Sequence, residues 1–196
     1  IDRRKLQRRL EALNRAANHD PLTGLSNRRH AVRLLNSERN RKDRRQVSSL
    51  VLIDLDHFKQ INDVYGHAAG DSVLVRVADL LRRRSSPSDA AIRWGGEEFL
   101  VIKGSTSLET AWLWAERILQ ELRKIEFCFQ GAVAKITASI GIATLEARSL
   151  CEDSIQLADR ALYLAKDLGR DRVCTSEMTN VYGAAMSLQC TSVSSE

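Results

Sequence analysis

The chain has 196 residues, of which 43% are hydrophobic, and this is enough for one sizeable core with appendages. Its formal net charge of +5 comes largely from arginine clusters at residues 3–9 and 39–45. No aromatic residues are interleaved with these clusters, and no base-reading motif accompanies them. The charge therefore favours solvated surfaces and argues against a nucleic-acid partner.

The cysteines predict a reducing environment. All four, at positions 128, 151, 174 and 190, are dispersed and lack the spacing of a metal site, which favours free thiols. The sequence shows neither a signal peptide nor a membrane-spanning stretch. We therefore expect a domain that works in the cytoplasm. Because the chain begins at Ile1, without an initiator methionine, we expect it to be the C-terminal part of a longer protein.

Residues 1–18 are predicted to form a charged helix. Leu6, Leu10, Leu13 and Ala17 recur at spacings of four, three and four, as in a short coiled-coil seam. The helix is too polar to be a core element by itself. It either pairs with a second copy of the chain or packs as a surface helix on its own domain.

Hydrophobic periodicity predicts the elements that follow. A helix from about Asn27 to Glu38 leads into a basic loop, and a continuous apolar strand then begins at Ser48. Further amphipathic helices are predicted at residues 73–84, 108–122 and 155–165, and a half-buried strand at residues 136–142. Residues 175–196 are rich in Ser and Thr and are predicted to be a disordered tail.

The strand that begins at Ser48 ends in two acids, Asp54 and Asp56. Continuous apolar runs of this length are typical of a strand that is covered on both faces. A carboxylate at the end of such a strand suits a divalent cation such as Mg²⁺, which prefers oxygen ligands. Further along, Asp71 is expected in the first turn of the 73–84 helix, where an acid also serves as a helix cap.

Gly95 and Gly96 lie between two apolar segments and predict a tight hairpin turn that uses the tolerance of glycine for positive φ. Glu97 and Glu98 then begin the returning strand, with their side chains on opposite faces. A turn without side chains would let a bulky ligand lie against the backbone. Taken alone, the turn is equally compatible with a surface hairpin that carries two solvated acids.

Four motifs follow one another in the order of a known family. They are DPLTGLSNRR at residues 20–29, DLDHFKQINDVYGHAAGD at 54–71, RWGGEEF at 93–99 and ALYLAKDLGR at 161–170. This series resembles the GGDEF family of diguanylate cyclases, in its GGEEF variant, over residues 19–174. The β-α-β-β-α-β order of the core is ferredoxin-like and is similar to the palm of polymerases and class III nucleotide cyclases. We therefore expect an α+β fold with a central antiparallel sheet and surrounding helices.

The resemblance implies a reaction in which two GTP molecules, one on each subunit of a homodimer, condense into cyclic di-GMP and release two pyrophosphates. It also implies an upstream sensor whose signal is transmitted by the first helix. Two metal ions per site, Mg²⁺ or Mn²⁺, would be held by Asp54, the Leu55 carbonyl, Glu97 and Glu98. Within this coupled set, Glu97 is expected to receive the hydroxyl proton and Glu98 to act mainly as a ligand.

Other residues are assigned by the resemblance to the nucleotide. Asn62 and Asp71 match guanine contacts, and a carboxylate at position 71 favours GTP over ATP because it accepts from both N1–H and N2–H₂. Lys59, Lys166 and Arg170 match the counter-charges of the triphosphate, although basic residues at a helix end are often only solvated. The remaining expected nucleotide contacts are Phe58, His67, Gly95 and Gly96.

The chain departs from the family pattern before the glycine pair. Many members carry Arg-x-x-Asp there, as an allosteric site that binds the product and inhibits the enzyme. Asp89 stands at the position of the acid, but Ser86 stands where the arginine is expected. We predict that product inhibition is weak or absent. A second departure, Asp171 in place of a common asparagine, is given no catalytic meaning.

Other function classes remain open at this point. A degenerate member of the family would bind GTP and regulate a partner without turnover, but the intact Asp54, glycine turn and Lys166 argue against degeneracy. A pure dimerisation module would not need this set of acids and phosphate-binding groups. A class III adenylyl cyclase shares the chemistry but has different motifs.

Overall fold

The computed structural model describes residues 3–39, 47–129, 131–145 and 151–181. Its main helices are α1 (Arg3–Asn18), α2 (Arg28–Arg39), α3 (Phe58–Tyr65), α4 (His67–Arg84), α5 (Leu108–Leu122) and α6 (Cys151–Asp167). Its strands are β1 (Ser26–Asn27), β2 (Ser48–Leu55), β3 (Ala90–Arg93), β4 (Glu98–Lys103), β5 (Phe127–Phe129), β6 (Ala132–Ala134), β7 (Ala138–Leu145) and β8 (Val173–Thr175).

The apolar run that predicted β2 forms an inner strand of a six-stranded sheet with the order β1-β3-β4-β2-β7-β8. The neighbours β3, β4, β2 and β7 are antiparallel, whereas β1 joins β3 and β8 joins β7 in parallel. In chain order, β2, α3 with α4, β3, β4, α5 and β7 give the predicted ferredoxin-like arrangement, which is confirmed. Strands β5 and β6 form a separate hairpin.

The side chains of β2 alternate between two apolar layers. Val51, Ile53 and Leu55 pack in a layer with residues of α4 and α5, while Leu50 and Leu52 pack in a layer with residues of α2 and α6. All five are at most 2% exposed. Burying a side chain of this size contributes roughly 1.5–3 kcal/mol. The acids at the end of β2 therefore belong to a strand that is packed on both faces.

Helix α6 lies directly against the backbone of β7 at Gly141. A Cβ at this position would be 2.1 Å from the carbonyl oxygen of Ala158 and 2.3 Å from the amide nitrogen of Leu162. Only glycine permits such a close approach of helix to strand. Because Lys166 follows Leu162 by one helical turn, this contact also sets the height of Lys166 above the sheet.

The helices between β2 and β3 begin earlier than predicted. Residues 58–65 form α3, which the periodicity did not reveal, and α4 begins at His67 instead of Val73. The prediction followed large aliphatic side chains. It missed the first turns of α4 because their buried positions are occupied by the small residues Ala69 and Gly70.

Asp71 consequently lies in the second turn of α4. The residue is exposed, no acid lies in the first turn of the helix, and no side chain caps its N-terminus. The expected place of Asp71 in the first turn is therefore wrong, and so is the alternative interpretation of Asp71 as a helix cap.

Helix α1 ends at Asn18, as predicted, and its apolar seam faces solvent. Leu6, Leu10 and Leu13 are 51%, 59% and 60% exposed. At its C-terminal end the helix buries Asn18, whose side chain accepts a hydrogen bond from Arg33 of α2. The seam therefore does not pack on the core of its own domain.

At the C-terminal end of the described chain, Thr175 closes β8 and residues 176–181 are helical, so the predicted tail begins too early. Residues 182–196 and the basic loop at 40–46 lie outside the described ranges. Cys128 and Cys174 are free, as predicted; the side chain of Cys151 and all of Cys190 are not described. None of the helices in the described ranges combines the length and the apolar character needed to cross a membrane.

Candidate functional site

Two of the predicted acids meet across neighbouring strands. Asp54 of β2 is the register partner of Glu98 of β4, and cross-strand partners carry their side chains on the same face of a sheet. The amide of Leu55 also donates a hydrogen bond to the carbonyl oxygen of Glu97 at 3.4 Å. The sheet register thus brings the end of β2 and the glycine turn together, as the sequence predicted.

The glycine turn is built differently from the prediction. Neither Gly95 nor Gly96 has a left-handed φ, so the expected need for positive φ is wrong. The amides of Trp94 and Gly95 instead donate to the carbonyl oxygen of Glu98, at 2.8 and 3.3 Å. A Cβ on Gly95 would lie 2.7 Å from the Glu98 Oε2, whereas one on Gly96 would have nothing within 4 Å. Gly95 makes room for a carboxylate, and Gly96 leaves the backbone open.

Arg93 ties this turn to the loop that follows α1. Its Nη1 donates to both carboxylate oxygens of Asp20 at 3.2 Å, while Nε and Nη2 donate to the carbonyl oxygen of Gly96 at 3.3 and 3.0 Å. From the other side, the guanidinium of Arg28 stacks 4.6 Å from the ring centroid of Trp94. The sequence motifs contained all of these residues, but nothing in them revealed the contacts.

Asp20 is held in its ionised form by its partners. Burial by itself would raise the pKa of this carboxyl. Hydrogen bonds from the hydroxyl and amide of Thr23, together with the guanidinium of Arg93, outweigh burial and keep the pKa below its ordinary value. The Asp20–Arg93 pair is therefore charged at neutral pH.

Lys166 reaches Asp54 from the last turn of α6. Its Nζ lies 2.9 Å from Asp54 Oδ2, with the lysine side chain 33% exposed and the aspartate side chain 13% exposed. The helix ends at Asp167, and Gly169 follows with φ 106°, as expected for a left-handed residue just past a helix. Arg170 therefore lies beyond the helix, as the sequence predicted.

Charged groups of the site line a cavity of 240 Å³. It is lined by Asp54, Leu55, Asp56, His57, Phe58, Lys59, Glu97, Lys166 and Arg170. Three cations thus share one cavity with two of the predicted acids. The N-terminus of α3, which has no side-chain cap, also lies at its wall. Uncapped amides and cations together are suited to phosphate oxygens.

The surroundings of Glu98 raise the pKa of its carboxyl group. Burial raises its pKa first, the negative charges of Asp54, Glu97 and Asp159 raise it further, and Lys166 lowers it in part. Three neighbouring carboxylates with one ammonium group leave an excess of negative charge. Such an excess favours the binding of a cation.

The donor set matches a divalent cation in chemistry. Carboxylate oxygens of Asp54, Glu97 and Glu98 and the Leu55 carbonyl are the hard oxygen ligands that Mg²⁺ and Mn²⁺ prefer. Within the described ranges, however, no three His, Cys, Asp or Glu side chains are grouped as a ready-made metal site. Asp54 holds the ammonium group of Lys166 instead. The oxygens therefore fit the ion by type and charge.

The predicted guanine contacts lie on the pair of helices beside the cavity. Asn62 of α3 packs so closely on Gly70 of α4 that a Cβ there would be 2.0 Å from the Asn62 Oδ1. Asp71 is the next residue and is exposed, as is His67 at the start of α4, while Phe58 is buried. Gly70 therefore sets the distance between the two helices that carry Asn62 and Asp71.

Asp56 has a structural role that the sequence analysis did not assign. The residue is 5% exposed, and its carboxylate accepts from the hydroxyls of Thr137 and Ser139, both at 2.7 Å, and from the amide of Asp171 at 3.1 Å. A buried carboxylate with three donors is well satisfied. It joins β2, β7 and the loop after α6.

Ser86 and Asp89 lie in the segment before β3, where the carboxylate of Asp89 is already bonded within the chain. Its Oδ2 accepts from Lys103 Nζ at 2.5 Å and from the Ser86 amide at 2.7 Å, and its Oδ1 accepts from the Gly104 amide at 3.3 Å. Lys103, which lies on β4 and is itself buried, was not predicted as a partner of Asp89.

A larger cavity, of 640 Å³, lies beside the C-terminal end of α1 and shares none of its lining residues with the first cavity. It is lined by Arg15, Ala16, His19, Asp20, Pro21 and Gly24, mostly through apolar surface. Asp20 is already bonded to Arg93 and Thr23. This cavity offers neither paired carboxylates nor a group of cations, so the smaller one is the better candidate for chemistry.

Comparison with known proteins identifies the family of the chain. Residues 17–172 match the family described as "Diguanylate cyclase, GGDEF domain". The diguanylate cyclase DgcP of Pseudomonas aeruginosa is 41% identical over 173 residues, which are 88% of this chain and 26% of DgcP. The diguanylate cyclase DgcM of Escherichia coli K12 is 40% identical over 169 residues, which are 85% of this chain and 40% of DgcM. The chain thus spans less than half of either relative.

A solved structure extends the similarity to the fold. The coiled coil and GGDEF domain of DgcB from Caulobacter crescentus, in complex with c-di-GMP, superposes with a TM-score of 0.83 and 30% sequence identity. The match covers 88% of this chain and 92% of that one. Both the sequence and the structural similarity extend over most of the chain described above.

Proposed function

Because this chain belongs to the GGDEF domain family of diguanylate cyclases, we propose that it condenses two GTP molecules into cyclic di-GMP and releases two pyrophosphates. The observation that carries the proposal is the Asp54–Glu98 register pair beside a cavity that contains Lys59, Lys166 and Arg170. Acids for a metal-assisted phosphoryl transfer and cations for a triphosphate occur together there.

In the proposed step, the 3′-oxygen of one nucleotide forms a bond to the α-phosphorus of the other. The bond from that phosphorus to the pyrophosphate oxygen breaks, and the hydroxyl proton passes to a carboxylate oxygen of Glu97. Glu97 lines the cavity, whereas Glu98 lies beside Asp54 and against Gly95. This difference supports Glu97 as the proton acceptor and Glu98 as a metal ligand.

Mg²⁺ or Mn²⁺, two per site, bound by Asp54, Glu97, Glu98 and the Leu55 carbonyl, would supply charge neutralisation and would activate the hydroxyl. The chain itself binds and orients the triphosphate. Lys59, Lys166 and Arg170 neutralise its oxygens, and the uncapped first turn of α3 offers amide donors. Lys166 would then exchange the Asp54 carboxylate for a phosphate oxygen.

Guanine is proposed to lie against α3 and α4. Asp71 is exposed and free of any capping role, so its carboxylate is available to N1–H and N2–H₂ of the base. Asn62 would bind from the facing helix, and Phe58, His67 and the open backbone at Gly96 would contact the rest of the nucleotide. This set favours GTP over ATP.

The reaction needs two chains, since one cavity holds one nucleotide and the attacking hydroxyl comes from another. We assign the dimer contact to the exposed seam of α1, whose leucines are more than half exposed in the single chain. We propose that an upstream sensor controls how the two copies of α1 pair.

Product inhibition is proposed to be weak or absent for two reasons. Ser86 lacks the guanidinium that the Arg-x-x-Asp site requires, and Asp89 is already bonded to Lys103. A ligand would therefore find neither the guanidinium nor a free carboxylate at this site.

The proposed activity is tested by incubating the chain with GTP and Mg²⁺ or Mn²⁺ and separating the products. We expect cyclic di-GMP from the wild type and none from Glu98→Ala, while Glu126→Ala, which removes an exposed acid outside the cavity, keeps the activity. A dimer that binds GTP but forms no product would overturn the proposal and would favour a regulatory domain without turnover.

A further inference from the structure

Three residues in a row after α6 have left-handed backbone conformations. Gly169 has φ 106°, Arg170 has φ 64° and Asp171 has φ 48°. Residues other than glycine adopt this region at an energetic cost and keep it only where their surroundings fix it. Arg170, one of the three cations of the cavity, is therefore held in its place by contacts outside itself.

Asp56 provides the first of these contacts. Its carboxylate, fixed by the hydroxyls of Thr137 and Ser139, accepts the amide of Asp171 at 3.1 Å. The backbone directly after Arg170 is thereby attached to the end of β2, close to Asp54. The carbonyl oxygen of Arg170 also accepts from Nε of Arg172 at 2.9 Å.

Arg123, the residue that ends α5, provides the second contact. Its Nε donates to both carboxylate oxygens of Asp171, at 2.9 and 3.0 Å, and its Nη2 donates to the Asp171 carbonyl oxygen at 2.9 Å. One guanidinium thus holds both the side chain and the backbone of Asp171. Arg123 does not line the cavity, so any effect on a nucleotide must pass through the loop.

The Arg123–Asp171 pair is too exposed to matter much for folding. The side chains are 40% and 37% exposed, and pairs at such surfaces stabilise the fold only slightly. The same contacts nevertheless restrict the loop in which Arg170, an exposed residue, directly precedes Asp171. Restricting that loop in advance reduces the conformational entropy that Arg170 loses when it binds a ligand.

We propose that Arg123 and Asp171 are positioning residues that hold the Arg170 guanidinium in place for the β- and γ-phosphates of GTP. The inference rests on the proposed function, which assigns Arg170 to the triphosphate. It gives a role to Asp171, the aspartate that departs from the family pattern, and to Arg123, which lies 48 residues away in sequence.

The test is equilibrium binding of GTP and GMP to the full 196-residue chain, with Ca²⁺ present to prevent turnover. We expect Arg123→Gln to weaken GTP binding by about three- to tenfold and to leave GMP binding unchanged, because GMP lacks the β- and γ-phosphates. Arg84→Gln is the matched control, since it removes a similarly exposed ion pair, with Glu121 of α5. It should change neither affinity.

A double-mutant cycle shows whether Arg123 acts through Arg170. If it does, Arg123→Gln/Arg170→Gln binds GTP no more weakly than Arg170→Gln alone. Additive losses, or an Arg123→Gln affinity equal to wild type while Arg170→Gln is weakened, would overturn the positioning role and leave the proposed function intact. An Arg170→Gln variant with wild-type affinity would instead contradict the proposed role of Arg170 itself.

The conservative variant Arg123→Lys adds a second readout. Lysine keeps the charge but does not donate to the carboxylate and the carbonyl in the same fixed geometry. We therefore expect an intermediate GTP affinity, at an unchanged melting temperature. Equal losses for GTP and GMP, or a loss that follows the melting temperature across the variants, would indicate a merely structural effect.

Discussion

Lys103 and Asp89 form a buried ion pair in which Nζ lies 2.5 Å from Oδ2 and the side chains are 9% and 1% exposed. The ring of Trp114 covers the ammonium group at 4.7 Å from its centroid. Two backbone amides complete the coordination of the carboxylate. The carboxylate that would form half of an allosteric site is therefore part of the protein interior.

Removing the lysine should destabilise the fold. Lys103→Met leaves the Asp89 carboxylate buried without its counter-charge, and we expect a loss of about 3–5 kcal/mol in the free energy of unfolding. The double variant Asp89→Asn/Lys103→Met should recover most of this loss. Urea denaturation measures both. A loss below about 1 kcal/mol, the range of an exposed pair, would show that the pair is not effectively buried.

Restoring only the missing arginine should not restore feedback. In Ser86→Arg, the Asp89 carboxylate remains bonded to Lys103, so cyclic di-GMP still finds only one of its two partners. We expect Ser86→Arg to be about as insensitive to the product as the wild type. Initial rates at rising product concentration provide the measurement. Strong non-competitive inhibition of the wild type would show that the prediction is wrong.

The stability contributed by the Asp20–Arg93 pair should depend on pH in a defined direction. The pKa of Asp20 in the folded protein lies below its ordinary value of 3.8. The charged carboxylate therefore stabilises the fold fully above pH 3.8, and this contribution disappears as the pH falls through the folded pKa.

The variant Asp20→Asn isolates that contribution. Asparagine keeps an acceptor for Thr23 but loses the charge opposite Arg93, so we expect it to be less stable by about 1–2 kcal/mol near neutral pH. The difference from the wild type should narrow below pH 3.8. Thermal unfolding across this range measures it, and a difference that widens in acid would contradict the assigned sign.

The two glycines of the turn should respond differently to alanine. In Gly95→Ala the new Cβ meets the Glu98 carboxylate at 2.7 Å, so the acid must move, and we expect activity to fall by about 10²-fold with a changed dependence on metal concentration. In Gly96→Ala nothing is displaced within the chain, and we expect mainly a higher KM for GTP. Both should fold normally. Identical kinetic changes in the two variants would contradict the distinction.

Features that depend on residues close together in sequence were predicted, whereas contacts between distant residues were not. The β2 strand, the acids at its end and the glycine turn follow from local patterns, and the sheet register then brought Asp54 and Glu98 together. The reason given for Gly95 was wrong, because its constraint comes from a side chain that only the folded turn brings near. Asp71 was misplaced because its helix begins with small residues.

The contacts that hold the site in place were beyond local reasoning. Asp56 meets the amide of Asp171 over a separation of 115 residues, and Asp171 meets Arg123 over 48. Lys103 and Asp89 are nearer in sequence, but nothing in a strand pattern shows which charged residue turns inward. Such pairings depend on tertiary structure, and a single sequence contains no direct signal for them.

The contact at Gly141 makes the candidate site sensitive to a residue outside it. Because Gly141 has no side chain, α6 touches the backbone of β7 at this point, and no rotamer change is available there to absorb an error in spacing. A side chain added at position 141 would push α6 away from β7 and tilt the helix against the sheet. The C-terminal end of α6 would be displaced, and the Lys166 ammonium group would move away from the Asp54 carboxylate. Position 141 touches neither of these groups.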